Sequence, residues 1–254
     1  MAAPTITAVG DMTSQRTTGA TSITVTTNAG VQVGDVLVAV IAGRYRTSLP
    51  STLDAPAGWT RLTPQQRPPA PSGATTAFAM DVFMRTATVA GTASFTFTLG
   101  TGFLVSELIL KEVDGRILAL RGIQSATPFS APAAGYSAVP PTNPYVPASI
   151  AVSRDDSLAI VIWGMTAFTS GPFGPNPNGW TSPAAPFMRA VDPLQDVRYA
   201  YIETDATGAL TMPQLNAAGS LISWTFAVHG FPDFFAYGVQ TGTPTGPSAA
   251  YGVY

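Results

Sequence analysis

Four carboxylates in the second half of the sequence are the side chains that could most readily do chemistry. Two suitably placed carboxylic acids are enough for glycoside hydrolysis, one as general acid and the other as nucleophile or base. The candidates lie in or beside predicted loops and strand ends: Asp192, Asp196, Glu203 and Asp205. Because no spacing among them singles out a pair, we expect none of them to be catalytic.

Other chemistry-bearing residue types are scarce. The chain has one histidine, His229, and no cysteine. A histidine-based metal site or proton relay would have to be built around that single imidazole, so we interpret His229 as structural. The sequence contains no Gly-x-Ser-x-Gly elbow, phosphate-binding Gly-Lys loop or His-Glu-x-x-His motif. We therefore predict that the protein is not an enzyme and that it uses no metal and no cofactor.

Aromatic residues are the remaining candidates for ligand contact. Trp59 and Trp180 each follow a Pro-x-Gly bend. Exposed rings could stack on a sugar, whereas buried rings would anchor a core or turn, and their recurrence at equivalent positions favours anchors. The long loops before them carry three aromatic residues that are better placed to touch a ligand: Tyr45, Phe168 and Phe173.

The two tryptophans belong to an internal repeat. Residues 35–60 and 156–181 align without a gap, and nine of the 26 positions are identical, where average composition predicts roughly two. The identical pairs are Asp35/Asp156, Leu37/Leu158, Val40/Val161, Ile41/Ile162, Gly43/Gly164, Pro56/Pro177, Gly58/Gly179, Trp59/Trp180 and Thr60/Thr181. We infer two related β units, and we assign the matched aspartates to turns closed by hydrogen bonds to backbone.

Hydrophobic and polar residues alternate along most of the chain, which is typical of β-strands. Residues 94–99 place Phe95, Phe97 and Leu99 on one face, and residues 221–228 place alternate residues from Ile222 inward in the same way. Two segments, 36–42 and 158–163, are apolar throughout and are predicted to be central strands covered on both faces. Further strands are predicted near residues 5–9, 22–27, 77–85, 105–111, 116–123, 146–152 and 197–203.

These patterns predict an all-β fold, an antiparallel, jelly-roll-like β-sandwich over residues 1–230 that is built from two diverged repeats. The halves span about residues 20–126 and 145–230, and a proline-rich stretch, 127–147, is interpreted as an ordered extended crossover. Neither half could hide both faces of its central strand alone. The two are therefore expected to pack as a single sandwich.

Residues 231–254 have a different character, with one charge, Asp233, and the sequence Ala-Tyr-Gly-Val at 236 and again at 250. Two interpretations are open. The segment is either a partly disordered terminus or an extended tail that docks its aromatic residues on a neighbouring subunit. The candidate assembly residues of this tail are Phe234, Phe235, Tyr237, Tyr251 and Tyr254.

Charged residues make up 10% of the chain, against roughly 25% in ordinary soluble domains. The net charge of −2 gives no electrostatic reason to expect nucleic acid or an anionic membrane as partner. No apolar run approaches the ~20 residues of a membrane-spanning helix, and the N-terminus lacks a signal-peptide pattern. So uncharged a surface suits a subunit covered by its neighbours, although a Thr-rich, high-GC genome would give the same bias.

Several motifs, taken in order, resemble a β-sandwich module of tailed-phage virion proteins. They are Gly34-Asp-Val-Leu-Val-Ala-Val-Ile-Ala, Pro56-Ala-Gly-Trp-Thr-Arg-Leu62, Ala79-Met-Asp-Val-Phe-Met-Arg-Thr-Ala87, Ser94-Phe-Thr-Phe-Thr98 and Ala119-Leu-Arg-Gly-Ile123 with Pro128-Phe129. The module occurs in minor tail proteins, especially of actinobacteriophages, and its Tyr-Arg-Gly-Val is replaced here by Leu120-Arg-Gly-Ile123. The resemblance covers about residues 20–230.

The resemblance implies a structural component of a tailed-phage virion, made in the host cytoplasm, and most simply a minor tail or tail-tip protein. The expected partners are other virion subunits, including further copies of this chain, with a host surface glycan as an additional candidate. Two alternatives stay open, a capsid decoration protein and a carbohydrate-binding or host-adhesion module. The family has no catalytic motif to carry over, and fold analogy alone does not assign a binding site.

Overall fold

The computed structural model describes the strand-forming framework of the chain. The described residues are 4–11, 13–15, 21–46, 53–62, 76–99, 113–123, 129–137, 145–167, 179–181, 188–189, 196–204, 207–213 and 218–230. None of them lies in an α-helix. The prediction of an all-β protein is confirmed.

The described residues form sixteen β-strands, and every pairing between them is antiparallel. In chain order the strands are β1 Thr5–Val9, β2 Thr13–Gln15, β3 Ser22–Thr26, β4 Val36–Arg46, β5 Leu53–Asp54, β6 Thr60–Arg61, β7 Thr76–Thr86, β8 Ser94–Leu99, β9 Val113–Arg121, β10 Phe129–Ser137, β11 Ala151–Val152, β12 Ser157–Ala167, β13 Met188–Arg189, β14 Asp196–Thr204, β15 Gly208–Ala209 and β16 Ala218–His229.

The strands assemble into four sheets. Sheet I has the order β1-β9-β4-β7-β6, with β2 also paired to β9, and sheet II has the order β10-β16-β12-β14-β13. Sheet III is β3-β8-β5, and sheet IV is β11-β15. In sheets I and II the long apolar strand, β4 or β12, lies between the next long strand and the last strand of its half. This shared order agrees with the inferred repeat, which stays an inference from the sequence, as does the jelly-roll-like arrangement.

Sheets I and II pack face to face around a shared core, which confirms the predicted antiparallel sandwich. Alternate residues of β4 and β12 point into it, because successive side chains of a strand face opposite ways. The buried apolar residues of this core are Val36, Val38, Val40, Ala42, Met80, Val82, Leu118 and Leu120 from sheet I, and Leu158, Ile160, Ile162, Val197, Tyr199, Trp224, Phe226 and Val228 from sheet II.

Each central sheet of this sandwich is also covered on its outer face. Sheet III packs on sheet I, where Ile23, Phe97 and Leu53 meet Leu37 and other residues of that sheet. On the outer face of sheet II, Trp163 and Ala159 pack in one cluster with residues beside and within sheet IV, among them Val152. The layers are therefore III, I, II and IV. Each half hides one face of its own central strand and the partner half hides the other.

Both faces of β16 are buried, because sheet II is covered on its outer face as well. The alternation had placed Trp224, Phe226 and Val228 inward, and all three are buried. The opposite face is buried as well, since Ser223 and Thr225 have almost no exposed surface. The Ser223 hydroxyl lies 3.1 Å from the Tyr145 hydroxyl. A polar strand face is thus covered instead of facing water, and the Thr225 hydroxyl on it has no hydrogen-bond partner among the described residues.

Other strand predictions differ at their ends or fall outside the described residues. Residues 146–150 are not strand, and only Ala151–Val152 is paired there. The interpreted crossover 127–147 contains β10, an edge strand that pairs with β16 and whose register shifts between Ser130 and Ala133, around Pro132. Proline cannot donate to a ladder, so an edge position and an irregularity accommodate it. The strand predicted at 105–111 lies outside the described residues.

Candidate functional site

Of the three aromatic binding candidates from the sequence, the described residues include Tyr45 alone. Tyr45 was expected in a loop, and this is wrong, because β4 continues through Arg46 and Tyr45 pairs with Ala77 of β7. Phe168 and Phe173 lie outside the described residues, as do all five tail residues: Phe234, Phe235, Tyr237, Tyr251 and Tyr254. Their proposed roles stay predictions.

The two candidate carboxylates that lie within described strands are far apart. Asp196 begins β14 and Glu203 lies near its other end, on an exposed position. Seven residues of extended strand span about 23 Å, whereas paired glycosidase carboxylates stand about 5–9.5 Å apart. Asp192 and Asp205 lie outside the described residues. Asp196 and Glu203 therefore do not form a catalytic pair with each other.

Trp59 and Trp180 are buried, as predicted for core anchors, with 8% and 3% of their surface exposed. Each follows a glycine whose φ is positive, +84° at Gly58 and +83° at Gly179, a conformation that glycine adopts without strain. The Trp59 ring meets Phe95 edge-on, with 5.1 Å between ring centroids. The Trp180 indole donates a hydrogen bond to the Thr211 carbonyl oxygen at 2.9 Å. Neither ring face is free to bind a sugar.

Asp35 closes the turn before β4 and also holds an arginine. Its Oδ2 accepts a hydrogen bond from the Gln32 backbone N–H at 2.8 Å. Arg121 donates from Nε to Oδ1 and from Nη2 to Oδ2, each at 2.8 Å. Burial acts to raise the pKa of the Asp35 carboxyl, but the hydrogen bonds from Arg121 and Gln32 and the Arg121 charge outweigh it and leave that pKa lowered. The turn assignment is confirmed, and the arginine partner is a contact that sequence reasoning missed.

The matched residue Asp156 has a different local conformation. Its φ is +52°, in the left-handed region that aspartate tolerates better than most residues. Its carbonyl oxygen accepts a hydrogen bond from the Gly230 N–H at 3.2 Å. This bond ties the start of β12 to the end of β16.

His229 is buried beside Ser157, with 4% of its surface exposed. The Ser157 Oγ lies 2.8 Å from His229 Nδ1 and donates its proton to the Arg154 carbonyl oxygen at 2.7 Å. Since the hydroxyl has one proton, Nδ1–H must be the donor to Oγ. An imidazole that donates to a serine cannot take its proton, so this arrangement is structural and not that of an activated nucleophile. This geometry agrees with the interpretation of His229 as structural.

Arg61 and Asp81 form an ion pair inside sheet I, as Arg121 and Asp35 do. The Arg61 Nη1 lies 2.5 Å from Asp81 Oδ1, and the guanidinium stands over the Phe83 ring at 4.8 Å from its centroid. Arg61 Nη2 also donates to the Leu53 carbonyl oxygen. These contacts join β5, β6 and β7. The arginine of the Gly-Trp-Thr-Arg motif therefore binds within the scaffold.

Polar residues also reach the margin of the core between sheets I and II. The Arg116 Nε donates to the Gly10 carbonyl oxygen at 2.7 Å. Burial lowers the pKa of Arg116, against the opposing charges of Tyr199 and Asp11. Burial also raises the pKa of the Tyr199 phenol, with Tyr201 adding to the effect and Arg116 opposing it. The cluster is a packed polar margin where the two sheets meet.

A small crevice between sheets I and III is the candidate binding site. It has a volume of about 70 Å³ and an apolar floor that includes Val31, Leu37 and Phe95. The Arg85 guanidinium forms one wall and stands over the Phe95 ring at 4.9 Å from its centroid. Val89, on the rim, is 62% exposed. A site of this kind can bind an apolar group next to an anion.

Arg85 is the cation of this crevice, and the described residues give it no acidic partner. Within the described part of the chain, its side-chain hydrogen bond goes to the Thr88 hydroxyl at 3.3 Å. A guanidinium presents five N–H donors, so most of the hydrogen-bonding capacity of Arg85 is unused by the described residues. Sequence reasoning missed Arg85 as a functional candidate. Its position after the alternating segment of β7 gave no local sign that it would face a crevice.

No family model matches the chain, and no curated protein or solved structure matches it significantly. Within the described ranges, no group of three or more histidine, aspartate or glutamate residues could hold a metal ion. Nor does that part of the chain include a helix long and apolar enough to cross a membrane.

Proposed function

We propose that this chain is a structural subunit of a tailed-phage virion, in the class of minor tail or tail-tip proteins. In this proposal it assembles through its β-sandwich surfaces and through residues 231–254, and its location is the virion. The proposal begins from the resemblance of its ordered motifs to the virion module. It also holds that the protein is not an enzyme.

One structural observation supports the proposal above others. The residues that recur between the two repeats, or that belong to the resembling motifs, are used inside the scaffold. Asp35 closes a turn and binds Arg121, and Arg61 joins three strands. Trp59 and Trp180 fill the two outer cores. A protein whose recurring residues build a four-layer framework is suited to offering surfaces to neighbours.

The low charge of the chain supports the same role. Charged residues make up 10% of the whole chain, so its surface has little electrostatic protection against association. Exposed apolar residues such as Val33, 67% exposed, add to this tendency. In an assembled particle these surfaces would be covered, and the tendency to associate becomes useful.

The test is to locate the chain in purified phage particles that carry its gene. Mass spectrometry of gradient-purified particles is expected to detect it, and a cryo-EM map is expected to show the four-layer unit at the tail or tail tip. Density for it on the capsid would favour the decoration alternative instead. Its absence from purified particles would contradict the proposal.

The host-adhesion alternative calls for a separate experiment. A glycan array with the full chain, together with host-cell binding by a variant in which Tyr45, Phe168 and Phe173 are replaced by alanine, tests it directly. Specific glycan binding that the triple variant loses would support adhesion. The virion proposal by itself predicts no glycan hit. The two roles can coexist in a tail-tip subunit.

A further inference from the structure

We propose that the crevice beside Arg85 is a docking site for residues 231–235 of a second copy of this chain, with Asp233 paired to Arg85. This inference rests on the proposed role as an assembling subunit and names one contact by which copies would join. The crevice has an apolar floor, and its cation, Arg85, has no acidic partner among the described residues.

The chemistry of the crevice calls for a carboxylate flanked by apolar groups. Arg85 uses one described side-chain hydrogen bond, to Thr88, and its guanidinium lies over Phe95. A bidentate carboxylate is the natural partner for the unused donors. The volume of about 70 Å³ holds the edge of a ring, since one water in the liquid occupies about 30 Å³.

The segment after Gly230 has this chemistry. Its sequence is Phe231-Pro-Asp-Phe-Phe235, and Asp233 is the single charge in residues 231–254. The carboxylate thus stands between aromatic residues on both sides. Charge and apolarity are complementary to those of the crevice, with one cation and one anion, each surrounded by apolar groups.

Geometry favours a second copy over the same chain. Gly230 is bridged to Ile123 at the end of sheet I, whereas Arg85 lies on β7, two strands across from β9. Strand spacing and rise place the Cα atoms of Gly230 and Arg85 about 20 Å apart, and three extended residues span about 10 Å, so a contact within one chain would need both side chains fully extended across the remaining distance. Arg85 also belongs to the face of sheet I that sheet III covers, because its cross-strand partner Leu37 packs there.

Docking of this kind joins unlike surfaces, the tail of one copy and the crevice of the next. Such a head-to-tail contact closes into a ring or extends into a filament, depending on the rotation between copies. Both outcomes suit a subunit that assembles around or along a particle.

The test uses full-length protein in sedimentation velocity over a range of concentrations. Wild-type chain is expected to self-associate, and R85Q and D233N are each expected to raise the dissociation constant about tenfold or more. F234A should also weaken association. E203Q, which removes an exposed carboxylate on β14, serves as the control and should associate like wild type.

Charge exchange tests the pairing itself. R85D and D233R should each be monomeric, yet a mixture of the two should form assemblies that contain both variants in equal amounts. In that mixture the unaltered Asp233 of R85D meets the unaltered Arg85 of D233R, and the arginine introduced into one tail meets the aspartate introduced into the other crevice. The double variant R85D/D233R, which has only the exchanged pair, should self-associate as well. Circular dichroism and thermal unfolding confirm that R85D is folded. If it is not, R85Q carries the test together with D233R.

Three results would overturn the inference. The first is a wild-type chain that stays monomeric, and the second is a set of variants that associate like wild type. The third is self-association that the double variant R85D/D233R recovers but the mixture of R85D and D233R does not, which would place the contact within one chain. The measurement needs only purified protein. If the protein does not self-associate but is found in phage particles, the virion proposal therefore stands. If the protein is absent from particles, the contact between Arg85 and Asp233 can still be measured in solution.

Discussion

Ser157 and His229 face each other across β12 and β16, hydrogen-bonded through Oγ and Nδ1 at 2.8 Å, as the first cross-strand pair of that ladder. In sheet I, Val36 and Leu120 are the first pair between β4 and the last strand of its half. A buried polar pair thus occupies in sheet II the place of an apolar pair in sheet I. The polar pair brings a titratable group into the core, and this has a measurable consequence.

Stability should fall on mild acidification because of His229. Burial lowers the pKa of the imidazole below its ordinary value of 6.5, and the Arg154 charge lowers it further. Below about pH 6.5 the unfolded chain therefore binds a proton that the folded chain resists, and the free energy of unfolding decreases as pH falls toward the folded pKa. Urea unfolding at pH 7.5, 6.5 and 5.5 should show this decrease. H229Q should lack most of it, since His229 is the sole histidine in the sequence. If the free energy of unfolding of H229Q depends on pH as it does in wild type, His229 is not the cause of the decrease.

Removal of the serine hydroxyl should destabilise the same ladder. In S157A, His229 Nδ1 and the Arg154 carbonyl oxygen both lose their hydrogen bond to Ser157, and the loss of buried hydrogen bonds of this kind costs about 1–3 kcal/mol. Chemical unfolding at pH 7.5 measures the loss. The same change at Ser94, an exposed position on β8, is the control and should alter stability by less than about 0.5 kcal/mol.

The carboxylate of Asp35 should contribute stability that is lost in acid. Because its pKa in the folded protein lies below the ordinary 3.8, the contribution is complete above that value and disappears as pH falls through the folded pKa. D35N should unfold at lower urea concentration than wild type at pH 7, and the difference should shrink as the pH falls below about 4. R121K should lie between wild type and R121Q at pH 7, since lysine keeps the charge but cannot bind both oxygens in the same way. Equal midpoints for R121K and R121Q would argue against the bidentate geometry.

The two matched tryptophans should respond differently to replacement by phenylalanine. W180F removes the indole donor to the Thr211 carbonyl oxygen, whereas the Trp59 Nε1 has no hydrogen-bond partner among the described residues. W180F should therefore cost about 1 kcal/mol more than W59F, the usual net value of one hydrogen bond. Alanine at either position should cost about 3–5 kcal/mol by creating a cavity. Equal losses for the two phenylalanine variants would show that the hydrogen bond contributes nothing.

Two glycines offer a matched test of the packing between β1 and β3. At Gly10 an added Cβ would clash with the Thr26 carbonyl oxygen, a backbone atom that cannot move away cheaply. At exposed Gly30 the nearest atom to an added Cβ is the Asn28 side-chain oxygen at 3.4 Å. G10A should cost about 2–3 kcal/mol or more, and G30A less than about 0.5 kcal/mol. Thermal unfolding of the two variants decides, and similar melting temperatures would contradict this local geometry.

The sequence by itself determined the β class and most strands of the framework. Alternation along residues 94–99 and the unbroken apolar run after Asp35 are local signals, because a strand exposes successive side chains to opposite faces. The bends before Trp59 and Trp180 were likewise readable, since glycine and proline mark turns through their own backbone preferences. The burial of both tryptophans followed from their recurrence.

Only the tertiary structure decided what each face meets. Sheets III and IV cover faces that local alternation would leave to solvent, and Ser223 and Thr225 are buried as a result. The pairs Asp35–Arg121 and Ser157–His229 join residues far apart in sequence. Such pairs depend on strand register and sheet order, which are set by the whole chain and not by any one segment. The crevice at Arg85 arises in the same way, from two sheets whose contact no local pattern specifies.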